Sequence, residues 1–311
     1  MTALREVAGY WPDRRVPVRE FLQQNQVPEP RINLYERYFG FREVRVTEKD
    51  DPALQLLGAA ERLESLKGNE HRVRYVLQAR TMPVAAPYPV STVHEVRDEL
   101  GLRHAQAFCV TQHACASGLL AVDLAGRLLA ADGDPDGLAL VLMGEKVFTA
   151  SARVIPDTGV MGESAAAALV GLGGPRDRVL GYATQIRGEF EDGMYMSPES
   201  AVEFQETYPA ALADVVRAAV DSAGLQVRDI DLVLPHNVNR MSWLPVLNKL
   251  GIRGKDRLFL DNLPEIGHCF GADAFLNYLT AREKGILRPG QRYLMTSVGL
   301  GATFSAMVLE H

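Results

Sequence analysis

Two stretches of this 311-residue chain are built alike, and that repetition limits the possible folds more than any bulk property does. The first runs from an apolar strand, Phe108-Cys109-Val110, through a small-residue loop to Cys115 and Gly118. A helix follows, then a turn at Pro135, a strand over Leu138 to Met143, Gly144 and a second small-residue strand. The other runs from a strand at Phe259-Leu260-Asp261 through a loop to His268 and Gly271. A helix, a turn at Pro289, a strand over Tyr293 to Val298, Gly299 and a last strand over Ser305 to Leu309 complete it. In each, the polar residue stands three positions before its glycine, and the proline follows that glycine after 17 or 18 positions. Strand and helix alternating in this way predict an α/β architecture, and its duplication predicts two similar halves. Gly173-Gly174-Pro175 breaks the pattern near the middle, so residues 1–173 and 174–311 are the expected halves. Cys115 and His268 then stand at equivalent strand–helix junctions, facing each other across the joint.

The remaining elements fit this frame. Residues 1–50 are mixed and charged, with a short helix expected from Val16 to Asn25 and an extended stretch ending at Val46. Spacing predicts helices over Pro52 to Ser65 and Val93 to Leu100, the latter stopped by Gly101. A helix is expected from Pro209 to Ala223, stopped by Gly224, with a short strand over Ile230 to Leu234 after it.

A net charge of −6 argues against nucleic acid or an anionic membrane surface as the main ligand. Three cysteines, Cys109, Cys115 and Cys269, have no framework spacing, which suits free thiols in a reducing compartment. The first residues show no signal-peptide pattern, and no apolar run is read as a membrane span. A cytoplasmic protein that binds no membrane is the expectation.

A thiol at a helix start meets free backbone N–H groups and the positive end of the helix dipole, which favour the thiolate. Cys115 is so placed, and the same N–H groups suit an oxyanion pocket beside a cysteine nucleophile. Taken alone, Cys115 also fits a buried small residue, since free cysteine is among the most buried types.

Further residues extend the set. Ala114-Cys115-Ala116-Ser117-Gly118, Pro235-His236-Asn237-Val238-Asn239 and Gly267-His268, in that order, resemble the thiolase-fold condensing enzymes. The resemblance is closest to the β-ketoacyl-acyl-carrier-protein synthase III-like group and covers the chain from about Tyr10 onward. It implies a duplicated fold in five layers, α-β-α-β-α, and a homodimer. Cys115 matches the acyl-accepting nucleophile, and His236 the first histidine. His268 falls where that group usually has Asn, giving a Cys–His–His set. Asn239 matches the Asn of the His-x-x-Asn motif. Gly301, less closely Gly299, resembles the turn whose N–H joins that of Cys115 in an oxyanion hole. Tyr88 aligns with an aromatic that reaches the partner subunit's acyl pocket. The tryptophan that stacks on coenzyme A falls on Leu34, which favours a carrier-protein-bound donor over coenzyme A.

The implied activity is acyl loading of Cys115 from a thioester, then decarboxylative Claisen condensation with a malonyl-type extender, in fatty-acid or polyketide metabolism. His236 and His268 would stabilise the enolate as neutral donors. The alternative is transfer of the acyl group to an alcohol or amine without a carbon–carbon bond. An accessory subunit without turnover is a third reading, against which the retained Cys and both His speak. The thioesters are substrates, and no cofactor is expected.

A metal site from Cys115, Cys269, His113, His236 and His268 lacks the required spacing. Gly299-Leu300-Gly301 lacks the third glycine and helix of a dinucleotide loop. His113 either tunes the thiolate or makes a structural hydrogen bond in the loop. A basic island, Arg240, Lys249, Arg253, Lys255 and Arg257, suits an acidic carrier protein or an ordinary solvated surface.

Overall fold

The computed structural model describes residues 1–49, 51–82, 89–147, 149–254 and 256–311. Its main sheet has nine strands: β1 (Thr2–Tyr10), β2 (Val73–Ala79), β3 (Gln106–Val110), β4 (Leu138–Met143), β5 (Ala165–Leu172), β6 (Arg178–Ile186), β7 (Leu232–Leu234), β8 (Arg292–Gly299) and β9 (Thr303–Glu310). The spatial order is β7-β8-β9-β6-β1-β5-β4-β2-β3. The two ends of that list mirror each other. β2 is parallel to β4, which is antiparallel to β5, which is antiparallel to β1. In the same way β7 is parallel to β8, β8 is antiparallel to β9, and β9 is antiparallel to β6. β1 and β6 meet antiparallel at Ala3 and Arg178. The counterpart of edge strand β3 shrinks to a single parallel bridge, Val233 to Leu258. The strand expected at Phe259 to Asp261 is therefore absent.

Strands of this kind are apolar on both faces because helices cover both. In β4, Val141 and Met143 join a central cluster, while Leu140 and Leu142 join an outer one. The outer layer on this side comes from α1 (Leu54–Ala60) and α2 (Thr92–Glu99), through Leu56, Ala59, Val93 and Val96. The middle layer is α3 (Ser117–Asp132) and α6 (Asp273–Glu283), whose Leu119, Val122, Leu129, Phe275, Leu276 and Tyr278 share one core. On the far side α4 (Pro198–Ser222) and α5 (Trp243–Leu250) bury Leu212, Val216, Trp243 and Val246 against Leu294, Phe304 and Val308. The result is five layers, α-β-α-β-α. A small cap from the segment 15–46, with Val16, Phe21, Tyr35 and Phe41, closes over Val160 and Leu263.

Two sequence expectations change, and one strand has no counterpart in the sequence reading. β1 sits at the centre of the sheet, yet its charged pair breaks the alternation that marks a strand. Arg5 sits within a register shift between Leu4 and Glu6; Arg5 donates to the Leu172 carbonyl, and Glu6 accepts from the Glu64 and Ser65 amides. α4 begins at Pro198, capped by the Ser197 side chain, so Pro209 lies inside the helix and not at its start. The stretch Ala114–Asp132 is long and apolar enough to cross a bilayer by length and composition, contrary to the reading of the sequence. Its burial in the middle layer accounts for that apolar character.

Candidate active site

The middle-layer helices begin back to back. A Cβ on Gly118 would lie 2.5 Å from the carbonyl oxygen of Gly271, so the two helix starts approach as closely as bare backbone permits. This contact brings Cys115 and His268, one turn earlier in each half, to the same place. Cys115 sits in a single turn of 3-10 helix, Ala114–Ala116, ahead of α3. The loop before it is tightly folded, with Gln112 and Ala114 at φ of 73° and 45°, a conformation that costs a non-glycine residue on the order of 1–3 kcal/mol. The end of β8 braces that loop from below. Ser297 Oγ donates to the Cys115 carbonyl at 2.8 Å, and Gly299 lies so close that a Cβ there would stand 2.1 Å from the His113 oxygen.

His268 Nε2 stands 3.2 Å from Cys115 Sγ. Its Nδ1 is bonded to the carboxylate of Asp273, the first residue of α6. Asp273 is 1% exposed and is held by two backbone donors, the amides of Asn237 at 2.6 Å and Cys269 at 2.7 Å. Burial works against charge on His268, but the Asp273 carboxylate and the Cys115 sulfur override it and push the imidazole up to about 10. The arrangement is a buried line of sulfur, imidazole and carboxyl group, an order of groups that can activate a cysteine nucleophile. Thr81 Oγ1 donates to the same sulfur at 3.6 Å. The Thr81 and Met82 amides donate in turn to Glu145, whose carboxyl burial pushes up. Val147, Met161 and Phe270 form the apolar wall around Cys115.

Comparison with known proteins places this geometry. Residues 220–311 match the family model for the C-terminal part of 3-oxoacyl-[acyl-carrier-protein] synthase III. The β-ketoacyl-[acyl-carrier-protein] synthase III of Clostridium acetobutylicum is 22% identical over 293 residues, 87% of each chain. That of Nitratidesulfovibrio vulgaris is 40% identical over 87 residues, 28% of this chain and 26% of its own. The 3-oxoacyl-[acyl-carrier-protein] synthase III of Aquifex aeolicus superposes with a TM-score of 0.82 at 21% identity, covering 100% of both chains. The C-terminal part of the chain thus matches the synthase III family model, and the whole chain has the thiolase-like fold of these enzymes. The acyltransferase ChlB3 superposes with a TM-score of 0.86 at 19% identity, over 99% of this chain and 97% of that one, a likeness of fold. By class this chain stands with the synthase III-like acyltransferases.

Other expected residues of the chain fall around that centre with different partners. His236 is 1% exposed, its ring 6.3 Å from that of His268 and edge-on to Trp243. Its Nε2 is 2.9 Å from the hydroxyl of Tyr208, on α4. Burial, with the nearby His268, pushes His236 down to about 3, so it is neutral at ordinary pH. Asn239 spends its amide on the chain itself, donating to the Thr158 carbonyl at 3.0 Å and accepting from the Ser242 amide at 2.9 Å. Gly301 has a φ of 120° and open space where a Cβ would stand, while Gly299 is in contact with the loop before Cys115. Tyr88 and Lys255 lie outside the described residues.

Asn239, Tyr208 and Leu34 line one cavity of about 500 Å³, together with Phe204 and Met241. Within the basic island, Arg240 donates to the carbonyls of Arg37 and Tyr38, and Arg257 to those of Arg228 and Ile230. Lys249 and Arg253 are exposed at and just beyond the last turn of α5, which helps to form that cavity. His113 contributes its carbonyl to the nucleophile loop, accepting from Ala116 at 2.9 Å, and burial pushes its imidazole down. Cys269 is fully buried, its thiol pushed up by burial and turned to the Ile266 carbonyl.

Sequence reading missed Asp273, Tyr208 and Thr81. Asp273 had a signal: an acid opening a helix five positions after a histidine, where the helix dipole also favours it. Tyr208 and Thr81 reach the site from other elements, and nothing local in the sequence marks them.

Proposed function

We propose that this protein takes an acyl group from a thioester onto Cys115 and passes it to an alcohol or amine acceptor. The observation that carries the reading is the Cys115–His268–Asp273 line. A thiolate at Cys115 attacks the donor thioester, forming a new S–C bond and breaking the donor's. The departing thiol takes its proton from the His268 imidazolium, which Asp273 has kept charged and aligned. Neutral His268 then removes the proton from the acceptor hydroxyl or amine as its oxygen or nitrogen attacks the acyl-Cys115 carbonyl. The thiolate leaves beside a regenerated imidazolium, so the cycle closes. The amide of Cys115, with that of Gly301, is assigned to the oxyanion.

Decarboxylative condensation remains the second reading, and the buried His236 beside His268 favours it. It is the weaker one, because Nε2 of each imidazole is already turned to a protein group, His268 to the sulfur and His236 to Tyr208, and the ring nitrogen left without a partner, His236 Nδ1, is buried. The donor in either case is an acyl-carrier-protein or coenzyme A thioester entering by the cavity of Leu34, Asn239 and Tyr208. Leu34 favours the carrier protein, and the basic residues Arg240, Lys249, Arg253, Lys255 and Arg257 are its proposed docking surface. Tyr88 as part of the acyl pocket, a cytoplasmic homodimer and the division into residues 1–173 and 174–311 belong to the same proposal.

The test is a loading and chase experiment. Wild-type protein is incubated with butyryl-coenzyme A, the adduct is read by intact mass, and a panel of amines and alcohols or malonyl carrier protein is added. Discharge to an amine or alcohol without carbon dioxide is the expected result. Carbon dioxide with a ketoacyl product establishes condensation instead, and no adduct with any thioester establishes an accessory role.

A further inference from the structure

We propose that Tyr208 sets the reaction choice of this site: by occupying Nε2 of His236 it withholds the hydrogen bond that decarboxylation of a malonyl-type thioester needs. The inference rests on the acyl-transfer reading above and names the residue that enforces it.

Decarboxylation breaks the bond between the carboxylate carbon and its neighbour. Carbon dioxide leaves, the electron pair moves into the thioester, and negative charge gathers on the thioester oxygen. A proton from solvent then completes an acetyl thioester. The step needs a preorganised donor at that oxygen. Two imidazoles adjoin one another beside Cys115, and Nε2 of each is engaged, while His236 Nδ1 is buried without a partner. His268 Nε2 is 3.2 Å from the Cys115 sulfur and is committed from behind to Asp273. His236 Nε2 is 2.9 Å from the Tyr208 hydroxyl.

Tyr208 is not a loose neighbour. It lies on the long helix α4, its ring edge-on to Phe204 at 5.8 Å and to Phe304 at 5.7 Å. His236 is fixed in turn by Trp243, 5.5 Å away. Burial pushes the Tyr208 hydroxyl well above its ordinary value, so it keeps its proton and stays a hydrogen-bonding partner. Whichever of the two groups donates, the imidazole nitrogen is satisfied by protein. Tyr208 also lines the 500 Å³ cavity proposed above for the donor, so the residue that bonds His236 Nε2 is also part of that cavity's wall.

The experiment uses the full chain with malonyl-coenzyme A and measures carbon dioxide release by wild type, Tyr208→Phe, and Tyr208→Phe combined with His236→Ala. Tyr208→Phe is expected to raise the release at least about tenfold over wild type, and the double variant to return it to the wild-type level. Equal or lower release from Tyr208→Phe overturns the proposal, as does a gain that survives loss of His236. Thermal melting and circular dichroism confirm that each variant has folded. If Tyr208→Phe does not fold, Tyr208→Leu takes its place with the same outcomes. Wild-type release with a ketoacyl product is a different failure, since it overturns the acyl-transfer reading itself.

Discussion

Gly118 and Gly271 meet backbone to backbone, each the first-turn or pre-helical glycine of one half of the molecule, with a Cβ on Gly118 only 2.5 Å from the Gly271 oxygen. Every distance in the site depends on this approach, because Cys115 and His268 each stand three residues before one of these glycines. Gly118→Ala pushes the two helix starts apart. The expected cost is about 1–3 kcal/mol of stability from overpacking, with a larger proportional loss of Cys115 acylation. Chemical denaturation and intact-mass loading read the two effects separately.

Asp273→Asn keeps the size of the side chain and removes its charge. His268 then loses the partner that holds it as an imidazolium, and acylation of Cys115 is expected to fall by about 10²–10⁴. The Asn237 and Cys269 amides bond opposite carboxylate oxygens, so one of them loses its acceptor in the variant, and circular dichroism is expected to show a folded protein of somewhat lower melting temperature. Stopped-time loading with butyryl-coenzyme A measures the rate.

The two imidazoles titrate in opposite senses, which separates them in a stability profile. His268 is raised to about 10 against its ordinary 6.5. Its contribution is present in full below pH 6.5 and is lost as pH rises through about 10. His236 is lowered to about 3, so its neutral form contributes above pH 6.5 and that contribution is lost as pH falls toward 3. His268→Gln is therefore expected to flatten the alkaline limb of a stability curve, and His236→Gln the acid limb. Denaturant titrations from pH 4 to 10 check both.

Cys115 and His268 were legible in the chain because the duplication that places them leaves a pattern: polar residue, glycine three later, helix, proline turn, strand. Strands such as Leu138–Met143 were legible because their burial on two faces demands an unbroken apolar run. β1 was not, because Arg5 and Glu6 at its irregularity serve the Leu172 carbonyl and the Glu64 and Ser65 amides, partners far along the chain. Tyr208 escaped for the same reason; its role exists only where α4 crosses His236. Pro209 misled the reading of that helix, since a proline signals a start more often than an interior position.

Thr81→Val removes the hydroxyl that faces the Cys115 sulfur and preserves shape. A several-fold slowing of loading is expected, with the melting temperature little changed, since the backbone bonds from residues 81 and 82 to Glu145 remain. The same loading assay measures it.

The central claim is that Cys115, with His268 behind it, is the acyl acceptor. Intact mass after incubation with a thioester tests it most directly, in wild type, Cys115→Ala and His268→Ala. One acyl group on wild type, none on Cys115→Ala and at most slow loading on His268→Ala is the predicted result. An adduct that persists in Cys115→Ala, or full-rate loading without His268, contradicts the account.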